Sequence, residues 1–81
     1  MANANEEFRQ ALIRTLLKTR KDRGYSHEAI AAKAGISRQM LGKIESGKAN
    51  PTMMMMFKIT SAMGVTMEEF VSAMKLRRRG D

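Results

Sequence analysis

Apolar residues recur along this chain every three or four positions, and no segment alternates apolar and polar residues for the length of a strand, so the pattern predicts helices throughout. The first helix is expected to start near Asn5 as its N-cap, with Glu6 and Glu7 at the positive end of the dipole. It carries Phe8, Leu12, Ile13, Leu16 and Leu17 as one stripe, runs to about Arg23 and stops at Gly24. Ser26 caps a second helix with Glu28 in its first turn and Ile30, Ala31 and Ala34 facing inward, and Gly35 ends it. Ile36 supplies an apolar anchor. Ser37 then opens a third helix whose Leu41 and Ile44 point inward before Gly47 closes it. Two short helices joined by about three residues including a glycine have helix-turn-helix spacing.

After a loop from Lys48 to Pro51, Thr52 is the expected N-cap of a fourth helix. Met53, Met56, Ile59, Thr60 and Met63 lie on one side of it, and Gly64 ends it. Thr66 and Glu69 fit a capping box for a fifth helix, in which Met67, Phe70, Val71 and Met74 repeat at helical spacing. The methionines at these positions are read as core rather than as a ligand groove. Met54 and Met55 point elsewhere, so at least one is expected to be exposed or covered by another subunit. Residues 1–74 form the expected domain, and residues 75–81, with Lys75, Arg77, Arg78 and Arg79, form a basic C-terminal tail.

Composition narrows what such a bundle can do. Eighty-one residues make one small domain, and with no cysteine its stability must come from apolar packing. The longest apolar run, Met53 to Phe57, is far short of a membrane span, and the polar, acidic start does not read as a secretory signal. A cytoplasmic location follows as the expectation. A net charge of +7 points to a polyanionic partner, either nucleic acid or an anionic membrane surface, and does not choose between them. One histidine and no cysteine leave no metal set and no catalytic triad, so neither an enzyme nor a cofactor is expected.

A helical wheel of the third helix places Arg38, Gln39, Gly42, Lys43 and Ser46 within an arc of roughly 140°, opposite Leu41 and Ile44. Arg, Gln and Lys are side chains that pair with guanine or adenine edges, and a recognition helix approaches bases with its N-terminal turn, here Arg38 and Gln39. Arg38, Gln39 and Lys43 are therefore the candidate base-reading residues. Ser26 and His27 at the open start of the second helix, and Ser46, Lys48 and Asn50 at the far end of the third, are candidate phosphate contacts. Gly42 costs roughly 1 kcal/mol relative to alanine inside a helix. Either it reflects drift or tight packing against a neighbour, or it lets the face approach the floor of the major groove. Lys18, Arg20, Lys21 and Arg23 form a basic cluster at the end of the first helix, which the dipole alone favours.

The segments from Ser26 to Arg38, from Ile44 to Lys48 and Asn50-Pro51-Thr52, continuing through Ile59, Ala62, Met63, Gly64, Val65 and Thr66 to Phe70, resemble the phage repressor and Cro-like helix-turn-helix regulators. The resemblance covers about residues 8–72. It implies an all-α, compact five-helix domain of the lambda-repressor type, with helices 2 and 3 as the helix-turn-helix, that binds a roughly palindromic DNA operator as a dimer. It places base-reading positions on Arg38, Gln39 and Lys43 and phosphate positions on His27, Ser46 and Lys48. Family members often have glutamine at the start of helix 2, where this chain has His27. A buried ion pair common in the group maps onto Arg20 and Glu45.

The expected function is thus a sequence-specific transcriptional regulator, a repressor or autoregulator, acting as a homodimer on a double-stranded DNA operator and associated with the nucleoid when bound. An adaptor or antitoxin that uses the same fold to bind a protein, such as a toxin or RNA polymerase, is the competing reading. A membrane partner is disfavoured, because the helices carry the caps and spacing of a closed globule. The fifth helix and the loop before the fourth are the expected dimer contact, with recognition helices about one DNA turn, ~34 Å, apart.

Overall fold

A computed structural model of the chain describes residues 4–76. They form five helices and no strand: α1 (Ala4–Asp22), α2 (His27–Ala34), α3 (Arg38–Glu45), α4 (Met53–Met63) and α5 (Met67–Met74). None of these helices is long and apolar enough to cross a membrane. Residues Arg77, Arg78 and Arg79 of the basic tail lie outside the described residues. Lys75 ends α5 in a left-handed conformation, with its amide donating to Ser72 O.

Four of the helices begin where a short hydroxyl side chain can satisfy an amide that the first turn leaves free. Ser26 Oγ accepts from Ala29 N, Ser37 Oγ from Met40 N and Thr52 Oγ1 from Met55 N, at 3.1, 3.0 and 3.0 Å. At α5 the box is reciprocal: Thr66 Oγ1 accepts from Glu69 N at 3.0 Å, and Thr66 N donates to Glu69 Oε1 at 2.9 Å. The α1 start differs from expectation. Asn5 lies inside the helix, which already includes Ala4. Alanine is a strong helix former and no proline or glycine stands there to stop it, so the cap signal at Asn5 is overridden.

The turn between α2 and α3 orients α3. Gly35 takes φ 72°, a left-handed conformation open to glycine at little cost. Its amide and that of Ile36 both donate to Ala31 O, at 2.9 and 3.1 Å. That closes α2, drops Ile36 onto the core and leaves extended Ser37 to cap α3.

The core gathers one stripe from each helix: Ala11 and Leu16; Ile30, Ala31 and Ala34; Leu41 and Ile44; Met56, Ile59, Ala62 and Met63; Phe70 and Met74. α2 packs on α3 and α4, and α1 packs on α3 and α5. Three residues expected inside are exposed. Phe8 near the start of α1, Met53 in the first turn of α4 and Val71 on α5 have 47%, 76% and 47% of their surface in solvent. Helical periodicity tells which way a side chain points but not where the neighbouring helix ends. Phe8 and Met53 sit near helix starts that the other described helices cover only in part, and α5 buries only the narrower stripe of Phe70 and Met74. Met54 is exposed and Met55 half-buried.

Candidate nucleic-acid interface

α3 has two unlike sides. Leu41 and Ile44 are fully buried, and they press the helix onto the core. Arg38, Gln39 and Lys43 are exposed. Gly42, between them, would place an added Cβ with no heavy atom within 4 Å, at an ordinary helical φ. Packing against a neighbour is therefore excluded as the reason for this glycine. What the missing side chain does is lower the middle of the exposed face. Arg38 Nη1 stands 3.3 Å from Glu28 Oε1 on α2, a pair open to solvent on both sides.

The residues proposed for the rim are less uniform. Ser26 Oγ accepts from Ala29 N as the cap of α2. Ser46 Oγ donates to Lys43 O at 3.2 Å, and Asn50 Oδ1 accepts from Arg9 Nε at 3.2 Å. Lys48 is exposed, and its amide donates to Lys43 O at 2.8 Å, which wraps the loop tightly around the end of α3. Arg9 is a residue that the sequence pattern does not single out. Its guanidinium crosses from α1 to the loop after α3, so close that a Cβ at Gly47 would lie 3.1 Å from Arg9 Nη2. No short-range signal could have found it, since Asn50 is 41 positions away.

His27 is no free surface side chain. Its Nε2 lies 2.9 Å from Glu45 Oε1. Glu45, the last residue of α3, is buried, and Arg20 of α1 grips both its oxygens, with Nε 2.8 Å from Oε2 and Nη2 3.0 Å from Oε1. Arg20 Nη1 also donates to Tyr25 O at 2.9 Å, so the guanidinium braces the α1–α2 link as well. Burial works against ionisation of Glu45, but the hydrogen bonds from Arg20 and His27, with their charges, outweigh it and hold the carboxyl below its ordinary value. An ionised carboxylate can thus sit on a helix whose other face is basic.

Three of the four residues of the basic cluster at the end of α1 are engaged within the fold. Lys18 pairs with Asp22 at 2.9 Å, Arg20 is committed to Glu45, and Arg23 Nη1 donates to Met63 O at 3.3 Å. Among the described residues no group of three or more His, Cys, Asp or Glu side chains comes together that could hold a metal ion.

Comparison with known proteins agrees with this geometry. The chain is 34% identical over 67 residues to the HTH-type transcriptional regulator SutR of Escherichia coli, covering 83% of this chain and 38% of that protein. It is 29% identical over 66 residues to an uncharacterized HTH-type transcriptional regulator, y4dJ, of Sinorhizobium fredii, covering 82% and 86%. It is 41% identical over 51 residues to the SPbeta prophage-derived regulator YonR of Bacillus subtilis, covering 63% and 47%. The chain thus spans well under half of SutR and about half of YonR. The helix-turn-helix family model matches residues 16–70, from the middle of α1 to Phe70 in α5. With a glycine-closed α2, a serine-capped α3 and two-thirds of its length inside that match, the chain belongs to the Cro/C1-type helix-turn-helix family.

Proposed function

We propose that this chain is a DNA-binding transcriptional regulator, a repressor or autoregulator in the cytoplasm, that reads a palindromic operator through the major groove as a homodimer. The observation that carries this reading is the outer face of α3, where exposed Arg38, Gln39 and Lys43 surround the unobstructed Gly42. Arg38 and Lys43 favour guanine and Gln39 favours adenine, and each good pairing supplies ~1–3 kcal/mol of discrimination. Lys48, Ser46, Asn50 and the open start of α2 at Ser26 and His27 hold phosphates, and Arg9 joins this set through Asn50. Residues 75–81 add attraction that is blind to sequence and weakens with salt.

The test is selection of bound duplexes from a random DNA pool. A recovered sequence motif whose binding is lost in Arg38→Ala and Gln39→Ala supports the reading. A pool that never converges, or binding indifferent to both substitutions, refutes it.

Dimerisation through α5 and the loop before α4 is supported by exposed Val71 on α5 and by the exposed Met53, Met54 and Phe57 in the first turns of α4, next to that loop. The same exposed apolar side chains favour a second reading, in which the domain docks on a protein partner. Sedimentation of the protein at micromolar concentration, free and on recovered DNA, separates the two, because a monomer in both conditions removes the dimer.

A further inference from the structure

Three helices meet at one carboxylate. Glu45 ends α3, His27 is the first residue of α2, and Arg20 lies in the last turn of α1. Glu45 Oε2 takes Arg20 Nε, and Oε1 is shared by Arg20 Nη2 and His27 Nε2 at 3.0 and 2.9 Å. The start of α2 is thereby docked onto the end of the recognition helix by a side chain 18 positions away.

The charges in this cluster are unequal in kind. From α1 comes Arg20, whose guanidinium stays protonated at all relevant pH. From α3 comes Glu45, held ionised by its two partners. The imidazole is the one member whose class changes charge between pH 5 and 8. With His27 neutral the three groups sum to zero, and with His27 protonated they sum to +1. The hydrogen bond to Glu45 survives in both states, because Nε2–H donates in the imidazolium and in one neutral tautomer. The His27 side chain is also one-third exposed, while Glu45 is almost wholly covered. Protonation therefore changes the field at the start of α2 without undoing the docking.

We propose that His27 is a positioning residue that docks α2 onto the recognition helix and, by taking up a proton as a DNA phosphate approaches, makes DNA binding tighten as pH falls. This rests on the DNA-binding reading above. The sign follows from linkage: a phosphate favours the imidazolium, so the complex binds more protons than the free protein and affinity rises towards acid.

The chain has a single histidine, so its imidazole signals in a proton NMR titration are unambiguous. The probe is a duplex recovered by the wild-type protein from the random pool. The titration midpoint of His27 is expected to rise in the complex, with affinity about two- to sixfold higher at pH 6 than at pH 8. His27→Gln keeps an amide donor for Glu45 but cannot ionise. It is expected to melt close to wild type and, whatever its affinity at pH 8, to flatten the pH profile. His27→Ala, which loses the donor, should bind more weakly at both pH values. An unmoved midpoint, or a His27→Gln profile as steep as wild type, overturns the proposal while leaving DNA binding intact. If no duplex is recovered at either pH, the DNA reading falls and this proposal with it.

Discussion

The recognition helix carries an arginine–glutamate pair at each end, and the two have little in common beyond chemistry. At its C-terminus Glu45 is gripped by two nitrogens of Arg20, with side chains 5% and 11% exposed. At its N-terminus Arg38 meets Glu28 through one contact of 3.3 Å, with side chains 67% and 75% exposed. A charge pair in solvent contributes little, because water and salt screen it. A desolvated one cannot be broken on one side without stranding the other charge. The first pair therefore locks the end of α3, which apolar packing has already placed, to α1. The second holds Arg38 only loosely, as the proposed exchange of Glu28 for a base or a phosphate requires.

Removing the covered carboxylate should have the largest effect. Glu45→Ala strands Arg20 and the His27 donor, and is expected to lower unfolding free energy by about 3 kcal/mol in urea denaturation, with sequence preference unchanged in whatever protein remains folded. Unchanged stability would mean that the two ends of α3 do not differ as argued. The same carboxylate predicts an acid limb. Its folded pKa is depressed, so its contribution is complete above the ordinary glutamate value of ~4.3 and is lost as pH falls through the lower folded value. Stability of the wild type should accordingly fall more steeply below that pH than that of Glu45→Gln, which has no carboxyl to protonate.

At the exposed end the loss should appear in binding. Arg38→Ala is expected to cost ~1–3 kcal/mol of discrimination against the wrong base, measured as the affinity ratio between recovered and scrambled duplexes, with stability nearly unchanged. Gly42→Ala, midway along the helix, should raise stability by up to ~1 kcal/mol, since the new methyl meets nothing. It should also weaken specific binding. A stabilised variant with unaltered affinity would show that the face does not approach the groove floor closely. Smallest of all, Glu28→Gln should change unfolding free energy by no more than ~0.5 kcal/mol.

Much of the fold was legible from short stretches of sequence. Ser26, Ser37, Thr52 and Thr66 announce their helices because a cap bonds an amide only three residues on. Gly35 announces the turn because its left-handed φ strains residues that carry a Cβ. The basic outer face of α3 was legible for the same reason, since five residues within two turns define an arc. Asn5 shows the limit of such signals, because a cap residue lowers the energy of one possible start and does not forbid an earlier one. Phe8, Met53 and Val71 show another, since apolar spacing names a face without saying whether a neighbour reaches it. Resemblance, rather than pattern, pointed to Arg20 and Glu45. Neither pattern nor resemblance pointed to Arg9 over Gly47 or to the bond between His27 and Glu45.

The dividing line is sequence separation. Helix ends, turn and recognition face all follow from interactions between residues three or four apart, whose energies are written into consecutive side chains. The bonds of Glu45 to His27 and Arg20 and of Arg9 to Asn50 span 18, 25 and 41 positions. They exist only because packing of the apolar stripes brings α1, α2 and α3 together. Burial then turns the glutamate at one end of α3 into an internal brace and leaves Arg38 at the other end exposed, with only the solvent-open contact to Glu28.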